Sequence, residues 1–374
     1  LWNVVGTSKY SYVLYYSPDA ALALSAGSIQ GGKSIPLSFS KSGPGEGVFQ
    51  KFPHLSGYSA LKIAPADFEK IPAALRSQLA VAVMDETGKV IDATGVQIAG
   101  ALDAVFPYDG PLGITIEDGK PVLRVWAPTA LNVALQIYDG ATIKTFNVFP
   151  MTRDDATGVW SVTGDNSWMG KYYLYQVQVF VPSTAKIETN IVTDPYSVSL
   201  SMNSLRSQIV DLENTSLKPS GWDTVSKPPL AAPEDQVIYE LHIRDFSIAD
   251  PTVPENLRGT FKAFTINDSL GMKHLQKLQI AGLTTIHLLP AFDIASVDED
   301  KATWSSVDEK LLASYPPDSD QQAAAVSLIK GTDGFNWGYD PYHYTTPEGS
   351  YATDPNGSTR ILEFREMVKA LNDA

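Results

Sequence analysis

The feature that most constrains this chain is a change of local grammar at a proline-rich stretch, LKPSGWDTVSKPPLAAPED, from Leu217 to Asp235. Before it, short β-prone runs are broken by turn residues. YSYVLYYS ends at Pro18-Asp19, IPLSFS spans Ile35 to Ser40, and LAVAVMDETGKVIDATG from Leu79 to Gly95 reads as strand, turn and returning strand. After a turn-rich connector from Phe106 to Gly113, VLRVWAP, LNVALQIYDG, GVWSVTG and GKYYLYQVQVF repeat the pattern, with alternate residues apolar in VLRVW and YLYQVQV. Two β-sandwiches of roughly a hundred residues each are expected.

Beyond the stretch, strands alternate with helices. QVIYELHIRDF (Gln236 to Phe246) reads as a strand. SLGMKHLQKLQIAGL reads as a helix with Asp268 or Ser269 as N-cap, Met272, Leu275 and Leu278 on one face, and Gly282 as its stop. TTIHLLP (Thr284 to Pro290) is a strand apolar enough to be buried on both sides, and STRILEFREMVKALNDA a helix with Ile361, Phe364, Val368 and Leu371 on one stripe. Strand, helix, strand, helix begins a parallel α/β domain. The 139 residues from 236 to 374 hold two such units, whereas an eight-unit barrel takes ~250 residues, so the expectation is the front part of a longer protein.

The segment DGFNWGYDPYHYTTPEGSYATDPNG, Asp333 to Gly357, carries Phe335, Trp337, Tyr339, Tyr342, Tyr344 and Tyr351 among turn signals, and neither a 2.0 nor a 3.6 apolar period runs through it. It is expected to be an ordered loop whose rings serve something other than a core. Flat exposed rings suit a ligand with weakly apolar faces and many hydroxyls, and sugars fit that description.

Several classes are excluded. The formal charge of −14, with no basic run, argues against nucleic acid and anionic membranes as partners. The absence of cysteine removes disulfides, thiolate metal sites and a thiol nucleophile. No window approaches the ~18 apolar residues of a membrane span. GxSxG, P-loop, HExxH and helix-opening GxGxxG motifs are missing, so acyl transfer, phosphoryl transfer and nicotinamide chemistry have no support. Paired carboxylates for glycoside hydrolysis remain, but spacing alone selects no pair. Glu240, His242, Arg244 and Asp245 at the end of the first strand read more readily as local ion pairs than as an active site, and His287 as a hydrogen-bonded core residue.

YELHIRDFS, GMKHLQKLQIAGLTTIHLLPAFD and FNWGYDPYHYTTPEGSYATDPNGSTRILEFREMVKALN resemble the first third of the catalytic barrel in pullulanase-type starch debranching enzymes of the α-amylase superfamily, with limit dextrinase of plants and green algae nearest. LRVWAPTALNVALQIYDG and GVWSVTG with GKYYLYQV look like the modules that precede that barrel. The resemblance implies a multidomain chain: an N-terminal β-sandwich (1–104), a starch-binding-type β-sandwich (105–232), and the first part of a (β/α)8 TIM barrel (233–374).

It further implies retaining hydrolysis of α-1,6 branch linkages in pullulan and branched limit dextrins, with branched α-glucans as partners and a plastid location. Tyr339 corresponds to the tyrosine that stacks on the sugar, and Asn336, Trp337 and Asp340 share its loop. Many relatives carry Tyr where this chain has Phe335, which loses a hydroxyl there. The family's catalytic carboxylates are expected beyond residue 374, so no catalytic residue is assigned here. No cofactor or metal ligand is assigned either, although the resemblance allows calcium. Trp126 and Trp160 are expected in core or edge packing, and Trp168, in a turn beside Asn166 and Gly170, as a glucan platform. A non-catalytic glucan-binding or scaffold protein is the alternative, and a branching or isoamylase-type enzyme a third reading that NWGYDP argues against.

Overall fold

The computed structural model describes residues 1–374 except Val5 and Glu46. The first region is built on one antiparallel sheet of five strands: β1 (Ser11–Ser17), β2 (Lys33–Phe39), β3 (Leu61–Ile63), β4 (Gln78–Met84) and β5 (Val90–Thr94), in the order β3-β2-β1-β4-β5. Among the described residues its second layer is not a matching sheet. Ala23–Ser25 and Ser28–Gln30 form a separate small hairpin, and the core of Tyr16, Ile35 and Leu79 is closed by Ala74 on the short helix Ile71–Leu75. The expected first sandwich is therefore corrected: alternation shows that a strand has one buried face, not what covers it.

The second region is a sandwich. One antiparallel sheet contains β6 (Gly113–Glu117), β7 (Lys120–Trp126) and β10 (Val159–Thr163). The other runs in the order β9 (Phe146–Pro150), β8 (Asn132–Tyr138), β11 (Tyr172–Val181), β12 (Lys186–Val192). Leu123 and Val125 from the first sheet meet Val133, Leu135, Ile137, Tyr173 and Tyr175 from the second in one buried cluster. The alternate residues Arg124 and Trp126 consequently face outward, Arg124 in a bidentate pair with Glu117.

In the third region β13 (Ile238–Leu241) pairs in parallel with β14 (Thr285–Leu288), and α1 (Leu270–Ile280) crosses between them. Ser269 caps α1 by accepting from the Met272 N–H at 3.2 Å, and Met272 and Leu275 are buried. β15 (Phe292–Ile294) and β16 (Pro341–Pro347) form an antiparallel pair, and α2 (Thr359–Asp373) packs Ile361 and Met367 inward. Three expectations change. β14 is only partly buried, and His287 is exposed beside Glu240 at 3.2 Å. The run from Gln236 is a strand only to Leu241, after which Ile243–Ser247 is helical, because His242 Nδ1 accepts from the Asp245 N–H and turns the chain. The loop from Asp333 contains β16, in which buried His343 lies between exposed Tyr342 and Tyr344 and the next buried residue is the polar Thr346, so no apolar alternation marks the strand.

Candidate functional site

The aromatic loop is displayed and anchored at once. Tyr339 is 69 % and Trp337 64 % exposed, and Phe335 packs edge-on against Trp337 at 5.7 Å between centroids. Asn336, between those two rings, is only 8 % exposed, and its Oδ1 accepts from the Tyr351 hydroxyl at 2.9 Å. Gly338 takes φ +76°, and a Cβ there would lie 2.9 Å from the Pro290 carbonyl, so glycine permits both the turn and the close approach. The Asp340 carbonyl accepts from the Ala295 N–H at 2.9 Å, while its side chain is exposed. Of the expected substrate-binding residues, the structure brings Trp337, Tyr339 and Asp340 to the surface of one loop and buries Asn336 beneath it.

Trp168 is in a different environment. It is 5 % exposed, packs against Phe149 at 4.6 Å, and lies over Gly164, where a Cβ would meet the indole at 2.3 Å. The expected platform is corrected to a core residue: a turn position says where the backbone goes, and the ring folds back under it. Trp160 is in the same core, and Trp126 is half-buried on the outer face.

Behind the loop lies a buried polar network that the sequence reading did not find. His343 Nδ1 is 2.7 Å from Asp293 and its Nε2 2.8 Å from the Thr193 hydroxyl. Ser204 donates to Asp293 at 2.7 Å. Arg360, fully buried at the start of α2, pairs with Glu299 at 3.0 Å and Asp293 at 3.5 Å and donates to the Pro347 carbonyl at 3.1 Å. Asn203 and Glu299 exchange two bonds, Asn203 N–H to Glu299 at 2.6 Å and Glu299 N–H to Asn203 Oδ1 at 2.7 Å. Thr345 and Thr346 both donate to the Ser197 carbonyl at 2.6 Å. Asn203 and Ser204 sit at φ +55° and +54°, a costly conformation for residues with side chains. These bonds clamp the far end of the second sandwich to β15, β16 and α2. The available signal was a charged residue, Arg360, beside Ile361 at the head of an otherwise apolar helix stripe.

Asp293, Glu299 and Glu348 bring one carboxylate oxygen each within 4.8 Å of one another, the donor chemistry of a hard cation. These oxygens are already committed: Arg360 pairs with Glu299 and Asp293, Asp293 accepts from Ser204, Glu299 from the Asn203 and Gly349 N–H groups, and Glu348 from the Ile294 and Ser350 N–H groups, so a calcium ion fits only by displacing bonds the fold already makes. Burial, then the neighbouring Glu299 charge, pushes the Glu348 carboxyl up to about 8.

Comparisons with known proteins accord with this geometry. Residues 1–104 match the pullulanase N2 domain and residues 111–197 the carbohydrate-binding module 48 (isoamylase N-terminal domain). The chain is 44 % identical to pullulanase 1, chloroplastic, of Arabidopsis thaliana over 99 % of its own length and 38 % of that protein's. The chain belongs with the pullulanases, as the counterpart of their N-terminal part. It is 40 % identical to the pullulanase of Klebsiella pneumoniae, over 87 % of this chain and 33 % of that protein. It superposes on the crystal structure of Klebsiella pneumoniae pullulanase complexed with maltotriose with a TM-score of 0.89 and 37 % identity, covering 98 % of this chain and 38 % of that one. The chain thus spans less than two fifths of these pullulanases' length. Among the described residues no helix is long and apolar enough to cross a membrane.

Proposed function

We propose that this chain is the front part of a debranching hydrolase that cleaves α-1,6 linkages in pullulan and branched limit dextrins with retention, and that Trp337 and Tyr339, with Asp340, form a wall against which a glucose ring stacks. Asn336 acts from beneath by holding that wall in place. The domain division is 1–104, 105–232 and 233–374, and β13, α1, β14 and α2 are the opening units of a (β/α)8 barrel. The attacking carboxylate and the acid belong to residues outside this chain. The chloroplastic relative supports a plastid location.

One observation carries the reading: rings more than three-fifths exposed stand on a loop held at Asn336, Gly338 and Asp340. An exposed aromatic ring gains nothing from solvent and, on a mobile loop, would lose its order on binding; a fixed one has that cost removed in advance. The test is reducing-end release from pullulan by the complete protein containing this chain. Tyr339→Ala is expected to lower kcat/KM by at least tenfold while the melting temperature stays put. Equal kinetics on pullulan for variant and parent would remove Tyr339 from the site, and no hydrolysis by the parent would favour the non-catalytic glucan-binding alternative.

A further inference from the structure

The Asn336 side chain uses only half of what it offers. Its Oδ1 accepts from the Tyr351 hydroxyl at 2.9 Å, whereas its Nδ2 is sealed from solvent and meets no acceptor among the described residues. An amide N–H taken out of water without an acceptor costs the fold its full desolvation, so a buried group of this kind has a partner in the working protein. Its place in the fold narrows what that partner is. Asn336 stands between the exposed rings of Phe335 and Trp337, and Tyr351 ties it to His242, the residue that follows β13. That is the carboxyl end of a parallel strand, the face on which barrel enzymes assemble their sites.

Three bonds in series set which way the amide points and how strong a donor it is. His242 Nδ1 accepts from the Asp245 N–H, so the neutral ring carries its proton on Nε2, toward the Tyr351 oxygen, and the Tyr351 hydroxyl donates to Asn336. The amide oxygen therefore faces Tyr351, and the Nδ2 hydrogens face away from it. Each group that accepts a hydrogen becomes a better donor in turn, so the series strengthens toward Nδ2. Such a donor favours an ionised acceptor, to which a hydrogen bond is roughly twice as strong as to a neutral one. The charged groups around Tyr351 do not fill that role. Glu348 and Asp245 act on it through their charge alone, with Arg244 opposing them. Asp245 is paired with Arg244 at 2.9 Å, and Glu348 accepts from the Ile294 and Ser350 N–H groups.

We propose that Asn336 is a positioning residue for the hydrolysis: its Nδ2–H donates to an ionised carboxylate that the part of the barrel outside this chain brings to the cleavage site. The proposal rests on the reading above of a retaining debranching hydrolase, in which one carboxylate must attack as an anion. A fixed neutral donor aimed at a carboxylate stabilises its charged form and so keeps it unprotonated to lower pH. One side chain then does two things. Its oxygen anchors the Trp337 and Tyr339 wall, and its nitrogen sets the position and charge state of the group that faces the sugar held there.

The pH dependence of pullulan hydrolysis by the complete protein containing this chain tests this. In Asn336→Leu the donor is gone, and the acid limb of kcat/KM is expected to move up by about one pH unit. Asn336→Asp keeps an oxygen for the Tyr351 hydroxyl, and with it the loop anchor, but turns a second ionised oxygen toward the carboxylate. Its kcat at neutral pH is expected to fall at least tenfold with KM within about twofold of the parent's. An unmoved limb in the first variant, or a parent-like kcat in the second, overturns the proposal and leaves Asn336 as an anchor of the wall alone. Where an Asn336 variant melts well below the parent, Tyr351→Phe decides, because it weakens the series while leaving Nδ2 in place. Its limb is expected to move the same way by a smaller amount, and an unmoved limb overturns the proposal. A parent that releases no reducing ends removes the hydrolase reading and the proposal together, whereas hydrolysis with unmoved limbs removes the proposal only.

Discussion

The third region holds two two-stranded sheets that differ in almost every physical respect. The parallel pair β13–β14 leaves Val237, Ile238 and Tyr239 exposed, although parallel strands ordinarily occur with both faces covered. The antiparallel pair β15–β16 buries Asp293, Ile294, His343 and Thr346 and is bonded across to Thr193, Ser197 and Ser204. The loop with Trp337 and Tyr339 runs directly into β16, so its position is inherited from the clamped pair. The second sandwich thus acts as a scaffold for the aromatic loop. Its contact with the loop's strand is polar and directional, and direction, which apolar packing lacks, is what holds a ring at a fixed angle.

The clamp breaks most severely at Arg360. Arg360→Ala leaves Glu299 and Asp293 buried without a counter-charge, and breaking a buried pair in this way costs about 3–5 kcal/mol. Urea unfolding of variant and parent measures it. A loss below about 1 kcal/mol, the scale of an exposed ion pair, would show that the clamp is slack.

A smaller effect separates the two sheets by pH. The Glu348 carboxyl sits at about 8 in the folded chain against an ordinary 4.5, so the folded state holds a proton that the unfolded state has released between those values. Stability from this group is complete below 4.5 and declines as pH rises to about 8. Burial raises Glu299 and Asp194 as well, in the same sense. Glu117, drawn down to about 2 by Arg124, acts only below that window. Glu348→Gln should flatten the decline between 4.5 and about 8, even though its amide loses one of the bonds from Ile294 N–H and Ser350 N–H. Urea midpoints across that range decide, and an unchanged slope removes Glu348 from the account.

The two kinds of sheet also explain what was legible in the residues. The alternation in VLRVW and YLYQVQV, the Ser269 cap and the Met272-Leu275 face lead to the structure because each is a local rule with a local consequence. The aromatic loop was legible in part: Phe335, Trp337, Tyr339, Tyr342 and Tyr344 are exposed, whereas Tyr351 of the same segment is buried in the core. The clamp was not: Thr193 and His343 are 150 positions apart, Asn203 and Glu299 96, and no local pattern marks a pairing at that range. Trp168 was misplaced for a related reason, whereas Trp126, expected in core or edge packing, lies half-buried on the outer face. Both tryptophans lie beside turns or strand ends, and only the folded chain shows that one ring turns inward and the other is held at a surface by two distant carbonyls.

The finest test of the scaffold lies under the loop. The Asp245 N–H donates to His242 Nδ1 at 3.2 Å, which places the neutral imidazole's proton on Nε2. Nε2–H then donates to the Tyr351 oxygen at 3.2 Å, and the Tyr351 hydroxyl must donate onward, to Asn336 Oδ1 at 2.9 Å. The direction of each bond follows from the one before. Tyr351→Phe keeps the ring packed against Phe261, so the core is untouched, but leaves the His242 N–H and the Asn336 carbonyl without partners, at about 1–3 kcal/mol. Stability should fall by that amount, the ¹⁵N shifts of His242 should lose the signature of a hydrogen-bonded Nε2–H, and pullulan turnover should fall with them. A stability loss with turnover intact would mean that the relay holds the core while Gly338 and Asp340 alone hold the loop, because Asn336 is the only one of the three anchors that depends on Tyr351 for its bond.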